Sequence, residues 1–217
     1  MRRLLLAGCA VSLLGGAPAP ASTTSSDFGT ITGRVILRER PPNRLASRYA
    51  GAGGSGSHEV AELPAVVYVI GPTGGAAGPR RVELAQRDTA FIPNVLVVSP
   101  GTTVDFPNYD PFFHNVFSFS KPKRFDLGRY PRGDRKSVTF DKPGVVKIYC
   151  EVHKWMRAAV LVLENPYYAE VAADGSYRID DVPPGRYRVA VWHMDRGEKV
   201  YEVDVSSGGA ARLDASL

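Results

Sequence analysis

Val145-Val146-Lys147-Ile148-Tyr149-Cys150-Glu151-Val152-His153-Lys154-Trp155-Met156 is the stretch on which the reading of this chain turns. A period of two runs through its first half and puts Val146, Ile148 and Cys150 on one face and Lys147 on the other, which predicts a strand facing a core. The thiol therefore points with the apolar residues. Beyond Cys150 the chain must turn, and two three-residue steps bring His153 and Met156 round to the same point.

His114 lies 36 residues upstream, in a turn-like segment, so a sheet must carry it in from a neighbouring loop. A thiolate, two imidazoles and a thioether make up the ligand set of a mononuclear type 1 copper centre, with the thioether weakly along the axis. Soft sulfur favours Cu(I) and imidazole tolerates both oxidation states, so one copper ion, Cu(I)/Cu(II), held by His114, Cys150, His153 and Met156 gains and loses one electron with little rearrangement. A buried neutral thiol is inert, whereas a metal ion makes it a thiolate outright. Zinc is the chemical competitor, but a thioether is a poor fourth ligand for it. A binuclear copper centre needs a second nearby cysteine, which the chain lacks. A cysteine nucleophile needs a general base and oxyanion donors and has no use for Met156. No phosphate loop, serine elbow or carboxylate pair is present, so the expectation is a carrier and not an enzyme.

Outward from this stretch, alternating or β-branched runs recur at 30–37, 65–70, 95–98, 102–106, 137–140, 158–163, 176–179, 187–192 and 200–205, most of them separated by Pro and Gly as in Ser99-Pro100-Gly101 and Pro183-Pro184-Gly185. Short strands at this spacing predict an all-β sandwich architecture. No long helix is expected. Residues 41–57, with Ala50-Gly51-Ala52-Gly53-Gly54-Ser55-Gly56-Ser57, have the composition of a flexible loop. Gly71 to Gly78 is a second Gly-rich region and marks a boundary.

Two families are interleaved in these motifs. Phe91-x-Pro93, Gly101-Thr102-x-Val104-x-Phe106-x-Asn108, His114-Asn115-Val116 and the Cys150 loop together resemble a plastocyanin or amicyanin-type cupredoxin, a blue copper protein. On either side, Ile31-Thr32-Gly33-Arg34-Val35, Ala173-Asp174-Gly175-Ser176-Tyr177 and Val182-Pro183-Pro184-Gly185-x-Tyr187 resemble one carboxypeptidase regulatory-like domain, a small transthyretin-like sandwich. Neither flank alone supplies enough strands for a core. The resemblances thus imply a Greek-key cupredoxin sandwich at 80–164, inserted in or flanked by a transthyretin-like sandwich built from 27–79 and 165–217; three consecutive small β units are the alternative.

The cupredoxin resemblance also implies that Asn115 braces the two ligand loops while a backbone amide donates to the sulfur. The Cys-to-Met spacing matches the short loop of amicyanin, yet Val152 and Lys154 stand where prolines often flank the ligating histidine. Trp155, with Pro111, Phe112 and Phe113 near the other histidine, is expected to form an apolar docking rim. Which ring nitrogens ligate is not legible at this level.

Composition bounds the remainder. With 217 residues, 44% of them hydrophobic, the chain can bury a real core. Met1-Arg2-Arg3, the apolar residues that follow and Ala19-Pro20-Ala21 read as a signal peptide over 1–21, cleaved after Ala21, which implies a periplasmic or secreted protein. Leu6-Ala7-Gly8-Cys9 fits a lipoprotein box, but the apolar stretch before Cys9 is shorter than the usual ~7 to 15 residues, so a lipid anchor there is not expected. Once the leader is removed, Cys150 is the only cysteine. A solitary thiol in an oxidising compartment needs an explanation, and metal ligation supplies one.

The net charge of +5 is mildly basic rather than nucleic-acid-like, and no transmembrane segment is expected in the mature chain. Nine Lys or Arg between Lys121 and Lys147, against Asp126, Asp134 and Asp141, suit docking to a redox protein partner with an acidic surface. His58 falls in the flexible loop without a spaced partner, and His193, at a strand end between Trp192 and Met194, reads as structural. The functional expectation is a one-electron carrier. Its alternatives are a copper-binding or copper-delivery module attached to a larger envelope assembly, and an adhesion-type protein with a vestigial site.

Overall fold

The computed structural model describes residues 28–38, 63–74 and 78–217. The signal peptide, Cys9, the 41–57 loop and His58 lie outside the described residues. Among the described residues the fold is all-β, with no helix. The strands are β1 (Gly29–Ile36), β2 (Val66–Val69), β3 (Arg81–Glu83), β4 (Ala85–Arg87), β5 (Ala90–Ile92), β6 (Val95–Val98), β7 (Thr102–Pro107), β8 (His114–Phe119) and β9 (Arg124–Tyr130). They continue as β10 (Arg135–Phe140), β11 (Gly144–Tyr149), β12 (Arg157–Val162), β13 (Tyr168–Glu170), β14 (Ser176–Val182), β15 (Gly185–His193), β16 (Gly197–Val205), β17 (Ala210–Arg212) and β18 (Ala215–Ser216).

Strands from the two ends of the chain share sheets. One sheet runs β14-β1-β17, with β18 also on β1, and a second runs β13-β2-β15-β16. The middle of the chain makes its own pair, β6-β12-β11-β8-β9 and β10-β7-β3, with the β4–β5 hairpin beside them. A continuous apolar strand can serve two cores at once, because successive side chains point to opposite faces.

β12 does this. Ala158, Val160 and Val162 enter the core under the five-stranded sheet, and Ala159 and Leu161 enter a different cluster on its other face. β15 and β2 divide likewise. Val189, Val191, Val67 and Val69 fill the core shared with β1 and β14, while Ala190, Trp192, Val66 and Tyr68 join Ala159 and Leu161. The result is four sheets stacked around three apolar layers, and the middle layer is the contact between the two sandwiches.

Two features correct the sequence reading. His114 is not in a turn or loop but is the first residue of β8, paired with Tyr130 of β9. The turn signals end at Phe113, and β8 hides its alternation because its inward positions include polar groups, buried His114 and Ser118. β9, Arg124–Tyr130, escapes the sequence pattern altogether: it has charged outward residues and Gly128 in its middle, and only Phe125 and Leu127 turn inward before Tyr130.

Asp105 on β7 is a buried carboxylate whose partners come from the two strands that flank it: Arg81 of β3 bonds both its oxygens at 2.8 and 2.7 Å, and from β10 Ser137 donates to it and Arg135 lies at 3.6 Å. Burial alone pushes this carboxyl up, but Ser137, Arg81 and Arg135 outweigh it and hold it below the usual range.

Leu161→Ala is expected to cost about 2–5 kcal/mol by denaturant unfolding, since Leu161 is fully enclosed between the sandwiches; a negligible loss would mean that the two sheets do not meet there. Asp105→Asn is expected to cost about 1.5–3 kcal/mol at neutral pH, the worth of hydrogen bonds to a charged group. Because the folded pKa lies below the unfolded one, near 3.9, this contribution is complete above the unfolded value. It disappears as pH falls through the folded one, so the two proteins converge in stability in acid.

Candidate metal centre

Strand order brings the candidate ligands together. β8 and β12 flank β11, and all three pair antiparallel. The start of β8 therefore lies beside the chain leaving β11, and Tyr149, the last residue of β11, is paired with Phe117 on one side and Arg157 on the other. Cys150 follows immediately. The segment from Cys150 to Met156 is the hairpin loop between β11 and β12, closed by Cys150 N–H donating to the Met156 carbonyl at 3.3 Å and Met156 N–H to the His153 carbonyl at 2.9 Å.

The donor atoms of His114, Cys150 and His153 all lie within 4.8 Å of one another. His114 Nδ1 is 3.8 Å from Cys150 Sγ and 3.0 Å from His153 Nδ1, so both imidazoles turn Nδ1 inward. Donors bound to one first-row ion sit about 2.0–2.3 Å from it and hence up to about 4.6 Å apart, and these spacings suit a single ion. Met156 is buried in the same core cluster as Cys150. The four residues that the sequence singles out are thus brought to one end of one sheet.

The site is sulfur-ready. Burial pushes the Cys150 thiol up, but the His114 ring and the backbone amides of Asn115, His153 and Val152 outweigh it and hold the thiol below its ordinary value. Burial likewise disfavours a charged His114, but the Cys150 sulfur and the Asp110 carboxylate outweigh it and raise the ring. Asn115 is buried, and its side chain accepts the Glu151 amide at 3.1 Å and donates to Asp126 at 2.7 Å. That bond ties the start of β8 to the Cys150 loop.

His153 is half-buried and ringed by aromatics, with Phe112, His114 and Trp155 centroids at 5.3, 4.7 and 5.1 Å. Phe112, which packs on both imidazoles, is 40% exposed, and Phe113, next to it in the chain, is 55% exposed. Trp155 is half-buried and packs on the core. His193 is buried apart from this group, at the end of β15, where its Nδ1 accepts the Asp195 amide.

Sequence reasoning missed Asp110, buried four residues before His114 and 2.7 Å from its Nε2. A signal was present in the Asn-x-Asp spacing, since Asn108 Oδ1 accepts the Asp110 amide in a local Asx turn. Its target could not have been read locally.

No family model matches this sequence, and no curated relative does. Among solved structures it is similar to a Cu-containing nitrite reductase from Thermus scotoductus SA-01, at 24% identity and TM-score 0.38, over 60% of this chain and 28% of that one. It is also similar to an oxidised mutant of amicyanin, at 22% identity and TM-score 0.36, over 38% of this chain and 81% of that one. A third likeness is to the purple cupredoxin from Nitrosopumilus maritimus, at 28% identity and TM-score 0.32, over 39% and 99% of the two chains. The chain spans little more than a quarter of the nitrite reductase. Likenesses this slight do not bear on the site, whose chemistry rests on its own donors.

In the metal-free protein, thiolate absorbance of Cys150 is expected to appear with a midpoint below the ordinary cysteine value of about 8.5, and His114→Ala should move that midpoint back up. An ultraviolet pH titration checks both; an ordinary or raised midpoint in the unsubstituted protein would contradict the electrostatics described here.

Proposed function

We propose that the protein is an exported type 1 copper protein that passes single electrons between redox partners and does not itself turn over a substrate. The observation that carries this reading is the convergence of His114 Nδ1, Cys150 Sγ and His153 Nδ1 within 4.8 Å, with Met156 buried in the same core cluster as Cys150. When bound, copper supplies a Cu(II)/Cu(I) couple suited to this mixture of soft and borderline donors.

The chain's own residues do the rest. Amides of Asn115, Val152 and His153 favour the anionic sulfur, and the hairpin bonds across the Cys150 loop keep the donors in place before any ion arrives, so little rearrangement accompanies a change of charge. Of the four ligands only His153 stands near the surface, and the exposed Phe112 against it, with Phe113 next in the chain, offers an apolar contact for a partner. The basic run from Lys121 to Lys147 suits a partner with an acidic surface. The leader and the solitary mature cysteine support a periplasmic or secreted location, and no helix of the described residues is long and apolar enough to cross a membrane.

On this reading residues 80–164 form the copper unit, and the flanking strands form a carboxypeptidase regulatory-like sandwich. A copper-delivery module fixed to a larger assembly is the second reading, favoured by the packing of that outer sandwich against the copper-side sheet through Ala159, Leu161, Ala190 and Trp192.

Purified protein loaded with Cu(II) is expected to show an intense blue absorption with narrow copper hyperfine splitting, both lost in Cys150→Ser, and to undergo reversible one-electron reduction. Loss of the metal to an acceptor protein on reduction would favour delivery over electron transfer, and a colourless Cu(II) adduct would remove the electron-transfer reading.

A further inference from the structure

His114 is held from behind by a carboxylate that no ligand spacing announces. Asp110 has a side chain only 6% exposed, and Oδ2 receives His114 Nε2 at 2.7 Å. Its other bonds come from the β4–β5 hairpin: Asp88 N–H donates to Oδ1 at 2.7 Å and Thr89 N–H to Oδ2 at 2.9 Å. Asp88 and Thr89 have φ of 54° and 55°, a left-handed conformation that side-chain-bearing residues, β-branched threonine above all, adopt at a cost. The two-residue turn between Arg87 and Ala90 is bent so that both amides face one anion.

The segment leading to His114 is held as firmly. Asn108, fully buried, accepts the Asp110 amide and donates from Nδ2 to the Phe112 and Tyr130 carbonyls at 2.8 and 3.1 Å. Tyr130, which pairs with His114 across β8 and β9, donates its hydroxyl to the Phe106 carbonyl and accepts from Gln86 of β4. Asp110 thus reaches the ring from a network anchored in β4, β7, β8 and β9.

We propose that Asp110 is a positioning residue of the metal centre: its carboxylate holds His114 in the Nε2–H tautomer with Nδ1 turned onto the metal, and its charge favours the cupric over the cuprous state. This rests on the copper reading above. An ionised carboxylate only accepts hydrogen bonds, so the proton between Oδ2 and Nε2 belongs to the ring. Nδ1 is then the free lone pair, and it is the atom that faces Cys150 Sγ and His153 Nδ1. A carboxylate behind a ligating imidazole also raises its basicity. The buried anion interacts more strongly with the doubly charged ion than with the singly charged one, in surroundings that screen it poorly. Two other carboxylates near the ligands, Glu151 and Asp126, are exposed, the first engaged by Arg129 and the second by Asn115.

The test compares copper-loaded wild type with Asp110→Asn, by competition titration for Cu(II) and by voltammetry. The variant is expected to retain its blue band, because Cys150 is untouched, and to lose about 10–100-fold in Cu(II) affinity. Its reduction potential should rise by about 59 mV for each tenfold by which Cu(II) is weakened relative to Cu(I). A folded variant with unchanged affinity and potential overturns the positioning role, since a residue that only stabilised the hairpin would leave both as they were. Should the variant not fold, the wild type decides: in the diamagnetic Cu(I)-loaded protein, a long-range proton–nitrogen spectrum should place the His114 proton on Nε2, and a proton on Nδ1 overturns the inference. A wild type that takes up copper without a blue band sinks the copper reading itself, whereas a blue wild type beside an indifferent variant sinks only the role of Asp110.

Discussion

The double pairing of Tyr149 is the constraint on which this molecule's site depends. Its backbone is matched to Phe117 of β8 and to Arg157 of β12, so the register of three strands is locked one residue before Cys150. A slip of one residue would turn the thiol to the opposite face of the sheet. It would then lie among the apolar side chains between the sandwiches, away from both imidazoles. The Tyr149 side chain also packs on that middle layer, so the outer sandwich bears on β11 next to the site. Remote strands β2 and β15 thereby contribute to holding a sulfur they do not touch.

That coupling follows from burying two sheets on both faces. β12 and β15 are apolar on every consecutive position through their centres, which no half-exposed strand tolerates well. The central strands are thus buried on both faces by apolar layers. At the sheet end, the Cys150 hairpin loop and the segment from Asn108 to Phe113 are held by their own hydrogen bonds. The donor cluster thus sits at the end of a buried sheet, with the exposed rings of Phe112 and Phe113 in the segment that enters β8.

Polar groups are buried at this end in unusual density. Gln86, Asn108, Asp110, His114 and Asn115 are all almost wholly enclosed. Each unpaired group there carries a desolvation cost; the network offsets most of it with amides from the strained hairpin, carbonyls of Phe106 and Phe112 and the Tyr130 hydroxyl, while Gln86 Oε1 has no hydrogen-bond partner among the described residues. Burial raises the Asp110 carboxyl, but the Thr89 amide, His114 and the Asp88 amide outweigh it and keep it below its usual range. Hydrogen bonds that favour charge are worth more in such surroundings than in water.

Much of this was legible in one dimension. Period-two alternation identified β11 and the inward face of Cys150, the continuous apolar runs located β12 and β15, and the Cys-x-x-His-x-x-Met spacing with His114-Asn115 pointed to His114, Cys150 and His153, whose donor atoms cluster, and to Met156, buried in the same core. These are local signals, because a strand's period and a loop's length depend on near neighbours alone. β8 and β9 were not legible, since their inward positions carry His, Ser and few large apolar residues. The choice of Nδ1 on both imidazoles, the bond from Asp110 and the sharing of β12 between two cores were decided only in three dimensions. Asp110 finds its amides in a hairpin twenty-odd residues upstream, and His114 finds Cys150 across a sheet, so only chain packing could bring them within bonding distance.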